Sequence, residues 1–237
     1  MRTVLVTGHS KGIGLAISEA LLQAGHRVVG VARSGIKDRD NLYQYSADLS
    51  DLDSIGTFVK SLLNRTSPDN QINTIDAVVC NAGADQFGAL ENFSAAQIQQ
   101  SIQLNLVSPL VLLSALLPTL KKHKRSDIIF IASESAVQAG RFGSIYSAAK
   151  FGLRGAAQSL RSECASSNCH VGIVNPGMVK TAFFDELSFE PGDAWQHSLH
   201  ANDVATAVMS VLNSPDNAVL EEINVRPLQH VVQKKSH

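Results

Sequence analysis

Cysteine, aromatic residues and net charge are all scarce in this sequence, and each shortage excludes a class of protein. The 237 residues include 3 Cys and 1 Trp, and the formal net charge is −1. Three cysteines without a Cys-x-x-Cys pair indicate neither a disulfide framework nor a zinc site, and we expect no metal site. A nearly neutral chain offers no general electrostatic attraction for nucleic acid or for an acidic membrane surface.

Long apolar runs are also missing from the pattern. We identify none of the length that spans a bilayer, and the N-terminus leads directly into a first strand. A signal peptide is therefore not expected, and the predicted location is cytoplasmic. The basic run Lys121-Lys122-His123-Lys124-Arg125 closes an apolar helix, where its charge is favourable at the helix C-terminus. We expect neither a membrane nor a nucleic-acid partner.

Apolar residues are plentiful enough for one large core. They make up 44% of the chain, and no linker, repeat or low-complexity tract divides residues 1–237. Strand and helix patterns alternate, which predicts a single-domain Rossmann-type doubly wound α/β fold, its mostly parallel sheet covered by helices on both faces. Strands are predicted at residues 3–6, 26–32, 75–80, 127–133, 171–175 and 220–225, and helices at 15–25, 51–63, 94–120, 146–165 and 202–212.

A glycine-rich turn joins the first strand to the first helix. Its sequence is Thr7-Gly8-His9-Ser10-Lys11-Gly12-Ile13-Gly14. Glycines permit a tight turn and close approach of the backbone, while the N–H groups of the helix N-terminus suit a pyrophosphate. Strand, turn and helix together predict the opening of a dinucleotide-binding unit.

A tyrosine and a lysine lie four residues apart in Tyr146-Ser-Ala-Ala-Lys150, on one face of a predicted helix. Free tyrosine titrates near pH ~10 and is a poor proton donor or acceptor at neutral pH. A neighbouring cation favours the phenolate and lowers that pKa towards the range useful for general acid–base catalysis. The pair therefore indicates proton-transfer chemistry, although the spacing alone also occurs on solvated helix faces.

Together these motifs resemble the short-chain dehydrogenase/reductase family over essentially the whole chain. Cys80 is a small departure, because the family commonly has another Asn there. The matching residues are Thr7-Gly8-x-x-x-Gly12-Ile13-Gly14, Asp48-Leu49, Asn81-Ala82-Gly83, Asn105, Ser133, Tyr146-x-x-x-Lys150 and Pro176-Gly177-Met178-Val179-x-Thr181.

The resemblance implies a catalytic quartet of Asn105, Ser133, Tyr146 and Lys150. Tyr146 would act as general acid/base, Ser133 would bind the carbonyl, Lys150 would hold ribose hydroxyls and Asn105 would position a water. The implied cofactor-binding residues are Gly8, Ser10, Lys11, Gly12, Ile13, Gly14, Arg33, Asp48, Leu49, Asn81, Ala82, Gly83, Tyr146, Lys150, Pro176, Gly177, Val179 and Thr181.

The end of the second strand predicts which nicotinamide cofactor is used. A carboxylate there would bind the ribose hydroxyls of NAD, whereas this strand ends Val31-Ala32-Arg33-Ser34. Arg33 and Lys11 offer donors to a 2′-phosphate, and both positions resemble the NADP-preferring pattern. The predicted cofactor is NADP.

The substrate is left open by the sequence. The pocket is expected from residues 84–87, 134–145 and an aromatic-rich loop around 182–201, which either covers the substrate or simply packs onto the domain. Hydroxyl, amino and carboxylate substrates all stay open, because Asp85, Gln86, Glu134, Gln138 and Arg141 are polar candidates for this pocket.

The leading hypothesis is an NADP-dependent carbonyl reductase or alcohol dehydrogenase with a small-molecule carbonyl or alcohol substrate. One alternative is a 3-oxoacyl reductase for carrier-bound acyl chains, and another is a non-catalytic NADP-binding sensor or scaffold. The family resemblance further implies a homodimer or homotetramer. The tail at 226–237 either supports that assembly or is disordered.

Overall fold

The computed structural model describes residues 1–64, 74–84, 86–185 and 187–235. Asp85, one of the polar pocket candidates, lies outside them. Strands and helices alternate along the chain, as the hydrophobic pattern predicts. The strands are β1 Thr3–Thr7, β2 Arg27–Ala32, β3 Leu42–Ser46, β4 Ala77–Cys80, β5 Ser126–Ile131, β6 Cys169–Pro176, β7 Phe189–Pro191, β8 Glu222–Val225 and β9 Val232–Lys234, and the helices are α1 Gly12–Gln23, α2 Leu52–Asn64, α3 Ala95–Ile102, α4 Ser108–Leu120, α5 Ser144–Cys164 and α6 Ala201–Leu212.

Seven of these strands form one parallel sheet in the order β3-β2-β1-β4-β5-β6-β8. The order reverses between β1 and β4, and this is the strand order of a Rossmann-type doubly wound fold. The predicted fold class is confirmed. In such a sheet the carboxyl ends of all strands meet at one edge, where ligands bind.

Helices cover both faces of the sheet because side chains alternate along each buried strand. On one face Val4 and Val6 pack with Ile17 of α1 and Val208 of α6. On the other face Leu5 joins a core built mainly from α2, α4 and α5. The continuous apolar composition of β1 thus follows from burial on both sides.

Three strands are missing from the sequence-based assignment. β3 lies at the edge of the sheet, and only Leu42 of its five residues is fully buried, so its apolar signal is weak. β7 and β9 are three residues each and pair antiparallel in a separate small sheet. Because β9 belongs to the C-terminal tail, residues 232–234 of the tail pair with the loop that precedes α6.

The predicted helix at 94–120 is interrupted around Asn105. Ser94 caps its start as expected, but residues Gln103–Val107 form a π-helical turn between α3 and α4. The Ser108 N–H donates to the carbonyl of Gln103, five residues back. Pro109 has no N–H to donate to the carbonyl of Asn105, so the regular helical ladder cannot pass this point. Pro109 therefore marks a change of helix type that opens the backbone at Asn105.

One helical run, Ala95–Leu120, is long and apolar enough to cross a membrane by length and composition. The expectation that no apolar run reaches this length was wrong. Core helices pass the same test, and here Leu112, Leu116 and Leu120 are fully buried in the core beneath the sheet.

Candidate active site

The glycine-rich turn forms a tight cradle at the carboxyl edge of the sheet. Gly8 adopts φ +67, a backbone conformation that disfavours any side chain. A Cβ on Gly14 would lie 2.1 Å from the carbonyl oxygen of Gly8 and 2.6 Å from Nδ2 of Asn81. Both glycines are therefore required by the turn itself, and the N-terminus of α1 stays open to an anionic ligand.

Thr7 joins this cradle to the next strand of the sheet, a role that the sequence-based site residues omit. Its Oγ1 accepts hydrogen bonds from the backbone N–H groups of Asn81 (3.0 Å) and Ala82 (2.9 Å). Asn81 Nδ2 in turn donates to the carbonyl of Thr7 at 2.9 Å and more weakly to that of Gly8 at 3.3 Å. The available signal was its position as the last residue of β1, directly before the first glycine.

The turn after β6 reaches back to the same cradle. Pro176 ends β6, and the N–H of Gly177 donates to the carbonyl of Val225 at 2.7 Å. Val179 continues the turn in an isolated bridge with Leu199. A Cβ on Gly12 would lie 3.6 Å from Cγ2 of Thr181, so Thr181 lies beside the glycine-rich turn.

Tyr146 and Lys150 lie on α5 as predicted, and both are almost completely buried. The Lys150 Nζ is 5.4 Å from the centre of the Tyr146 ring and donates to the carbonyl of Ile131 at 3.2 Å. Burial lowers the pKa of Lys150 to about 8, because a desolvated ammonium is disfavoured. The cation therefore lies close enough to influence the phenol, and its own proton is unusually labile.

Asn105 faces the same interior. Its Nδ2 donates to the carbonyls of Ala84 at 2.7 Å and Ser101 at 3.0 Å. Its Oδ1 is buried without a hydrogen-bond partner in the part of the chain that the structure describes. A Cβ on Gly83 would lie 2.7 Å from this oxygen and 3.7 Å from the Nζ of Lys150. Gly83 thus leaves room between the amide of Asn105 and the ammonium of Lys150.

Ser133 lies at the carboxyl end of β5, two residues beyond the Ile131 carbonyl that Lys150 contacts. It caps a short 3₁₀ turn, and its Oγ accepts from the N–H of Ser135 at 3.1 Å. The hydroxyl hydrogen is still available to a ligand, because only the oxygen is used in that cap.

The positions predicted for the adenosine side lie around the ends of the first strands. Gly8 N–H donates to the carbonyl of Val31 at 2.7 Å, two residues before Arg33, so the turn and the end of β2 adjoin. Arg33 and Lys11 are exposed, whereas Leu49 is buried. Two hydrogen bonds from Ser50 lower the pKa of Asp48, with a smaller contribution from the Arg33 charge. Ser10 and Ile13 complete the turn and are half-buried.

The parallel sheet carries a glycine cradle after β1, a buried Tyr-Lys pair on α5 and a Pro-Gly turn after β6, all at its carboxyl edge, and together these features define a doubly wound α/β enzyme. The chain belongs to the short-chain dehydrogenase family, whose model matches residues 2–191. It is an oxidoreductase of that family.

Individual relatives agree with this assignment over nearly their full lengths. An uncharacterized oxidoreductase of Staphylococcus epidermidis is 29% identical over 96% of this chain and 97% of its own. The alcohol dehydrogenase of the archaeon Thermococcus sibiricus, solved in complex with 5-hydroxy-NADP, is 26% identical with a TM-score of 0.83, covering 98% of this chain and 99% of that one. The ligand-free aldohexose dehydrogenase of Thermoplasma acidophilum, at 21% identity, shares the fold, with a TM-score of 0.83 and coverage of 96% and 93%.

Proposed function

We propose that this oxidoreductase transfers hydride between NADP(H) and a small-molecule carbonyl or alcohol, with Tyr146 as general acid/base. The observation that carries the proposal is the buried Lys150 ammonium, 5.4 Å from the Tyr146 ring at the edge where the glycine cradle opens. Among the residues that the structure describes, no carboxylate pairs with this ammonium, and a buried cation without such a partner is costly and needs a functional reason. Favouring the tyrosinate supplies that reason.

The residues at the carboxyl edge of the parallel sheet are suited to bind a dinucleotide. The Gly8–Gly14 approach leaves no room for a side chain, as a pyrophosphate cradle requires, and the N-terminus of α1 faces it. The pyrophosphate would lie on the turn from Gly8 to Gly14, with Thr181 beside it. Asp48, Leu49 and the Asn81–Gly83 turn would hold the adenosine, and Pro176, Gly177 and Val179 would border the nicotinamide. When bound, the cofactor supplies the hydride.

The protein's own part in the chemistry is proton transfer and orientation. Tyr146 Oη would deliver a proton to the developing alkoxide, and the Ser133 hydroxyl would donate a hydrogen bond to the same oxygen. Lys150 would hold the ribose hydroxyls and keep the tyrosinate accessible. The unpartnered Oδ1 of Asn105, beside the space next to Gly83, suits a water that links Lys150 to solvent.

Arg33 carries the proposed preference for NADP. We expect Arg33→Ala to weaken NADPH binding at least about tenfold and to leave NADH binding nearly unchanged, because only NADPH has a 2′-phosphate for the guanidinium. Calorimetric titration of both proteins with each dinucleotide measures this effect. Turnover by the wild type is measured separately, as the absorbance change on NADPH oxidation with ketones, aldehydes and β-ketoacyl thioesters.

Arg39→Ala is the matched control, since Arg39 lies in the same segment but pairs with Glu19 at 2.9 Å. It should leave both titrations unchanged. Equal losses of NADPH and NADH in Arg33→Ala would contradict the preference. NADPH binding without turnover of any substrate would favour the sensor alternative.

The basic run at 121–125 does not favour the carrier-bound alternative. It lies between the end of α4 and the start of β5, at the sheet edge opposite the glycine cradle. Arg125 already pairs with Asp127 and Asp216, and Lys121 donates to the carbonyl of Glu163. A carrier docked there would be remote from Tyr146, so the small-molecule substrate is the better-supported proposal.

The homodimer or homotetramer stays a proposal. It is supported by an apolar groove between α4 and α5, lined by Leu110, Leu113, Leu117 and Leu160. Burying such a groove in a symmetric contact removes apolar surface from water.

A further inference from the structure

Four phenylalanine rings form a connected cluster over Tyr146. Phe87 lies 5.2 Å from the Tyr146 ring and Phe183 lies 6.2 Å from it, measured between ring centres. Phe189 packs edge-on against Phe87 at 5.3 Å, and Phe184 joins Phe183 and Phe189 at 5.3 and 5.9 Å. We call Phe87, Phe183, Phe184 and Phe189 the aromatic cluster.

Two of the described charged residues near the cluster, Glu134 and Arg141, already have contacts of their own. Glu134, next to Ser133, pairs with His230 at 3.2 Å and lies 4.0 Å from Arg226. The guanidinium of Arg141 lies 4.5 Å above the ring of Phe142. The Glu134 carboxylate is thus paired and the Arg141 guanidinium packs on a ring outside the cluster, whereas the aromatic cluster offers several apolar ring surfaces to a substrate.

We propose that the substrate is an apolar carbonyl compound bearing an aryl ring or a group of similar size, with the matching alcohol in the reverse direction. This rests on the proposed function, because it takes Tyr146 as the group that faces the reacting oxygen. Phe87 and Phe183 would contact the apolar group, and offset or edge-on packing between rings adds to the burial of apolar area. Carboxylate-bearing and polyhydroxylated carbonyls would lose hydration against the phenylalanine rings, which offer them no hydrogen bonds.

The test compares acetophenone, pyruvate and glucose as substrates of the wild type, Phe87→Leu and Phe58→Leu. We expect kcat/KM for acetophenone to exceed that for pyruvate and glucose, and to fall about three- to tenfold in Phe87→Leu, the loss of one aromatic contact. Phe58 packs on Tyr45 in the helical layer away from the cluster, so Phe58→Leu should keep the wild-type preference.

Calorimetric titration with acetophenone separates the two proposals. A preference for pyruvate or glucose would overturn the substrate class and leave the reductase function standing. Acetophenone binding without turnover would support the aromatic pocket and overturn the reductase function. If acetophenone were neither bound nor turned over, the proposed substrate class would be overturned.

A second inference comes from backbone contacts of the tail. β9 pairs with β7, and three further backbone hydrogen bonds of 3.0–3.1 Å join Lys235 to Ser188, Gly192 to Val231 and Gln229 to Gln196. Lys235 Nζ also donates to the carbonyls of Phe184 and Asp185. We call residues 226–235 the C-terminal strap and residues 182–185 and 187–200 the substrate loop.

We infer that the C-terminal strap holds the substrate loop over Tyr146 and that Lys235 is its anchor. Lys235 binds the backbone at Phe184, and β9 binds the strand that carries Phe189, so both contacts position the aromatic cluster. A loop with few core contacts depends on such hydrogen bonds for its closed position. Lys235 is thus a positioning residue for the substrate.

Lys235→Met tests this, with the exposed neighbour Lys234→Met as the matched control. Chymotrypsin should cut the cofactor-free Lys235→Met chain within the substrate loop about ten times faster than the wild type. The reason is that the loop opens more often once the charge-assisted hydrogen bonds of Lys235 are lost. KM for the substrate should rise with little change in kcat, and the melting temperature should stay as in the wild type. Lys234→Met should match the wild type in all three. Equal cleavage in both variants would overturn the inference, and so would a lower melting temperature that accompanies faster cleavage.

Discussion

Tyr146→Phe is expected to lower kcat by about 10²- to 10⁴-fold, the usual contribution of a positioned general acid or base. The variant removes one oxygen from a ring that is 7% exposed and packed against Phe87. The ring itself remains, so that packing should persist. Steady-state NADPH oxidation with a saturating carbonyl substrate measures the effect, and NADPH binding should change by less than about tenfold because one hydrogen bond at most is lost.

Tyr43→Phe is the control for loss of a phenol as such. Tyr43 lies in β3, at the far edge of the sheet from β5, and its substitution should leave kcat unchanged. If Tyr146→Phe lost NADPH binding in proportion to activity, Tyr146 would be a binding residue and not the proton donor. Retained activity would place the proton transfer on another group.

The sequence predicted the fold because its strongest patterns are those that burial dictates. β1 is buried on both faces, and the turn has no room for a side chain at Gly8 or Gly14, so both features are explicit in the residues. By contrast, β3 has one buried residue, Leu42, and no alternation of burial along its length, and β7 and β9 are too short to show any period. These strands form because they pair with other strands, and such pairing is not visible in the local pattern of residues.

The candidate site follows the same division. The placement of Tyr146 and Lys150 on one helix could be predicted from their spacing, and Asn105 is implied by the family resemblance. The π-helical turn that opens the backbone at Asn105 depends on Pro109 within the packed helix. The pairing of Glu134 with His230 joins residues 96 positions apart. Such contacts, and the tail that runs along the substrate loop, depend on how the chain folds back on itself and not on the composition of either segment.

The second large expected effect concerns Lys150, whose burial costs the folded protein stability at neutral pH. Its pKa is lowered from 10.5 to about 8 by desolvation. Below pH 8 the group is charged in both states, and above pH 10.5 it is neutral in both. Between these values the unfolded chain binds more protons, so the unfolding free energy of the wild type should rise with pH. At 1.36 kcal/mol for each pH unit, the rise from this group is about 3 kcal/mol.

Lys150→Met lacks this titration, so at pH 7 the variant should have a higher unfolding free energy than the wild type. This difference should shrink by about 3 kcal/mol between pH 7 and pH 10.5, as the wild type gains stability. Denaturant unfolding of both cofactor-free proteins at the two pH values gives the difference. Other titrating groups are common to both chains and cancel. The Ile131 carbonyl, which Lys150 contacts at 3.2 Å, loses its donor in the variant at either pH and adds only a constant.

Lys60→Met, at an exposed position on α2, should show a pH-independent difference from the wild type. A pH-independent difference for Lys150→Met as well would mean that the buried ammonium titrates as it does in the unfolded chain. The expected pattern is a variant that gains stability at neutral pH and loses turnover, because the proposed reaction needs the cation that burial makes costly. A purely structural role would not explain the stability lost by burying the Lys150 ammonium, since methionine fills the same space without a charge.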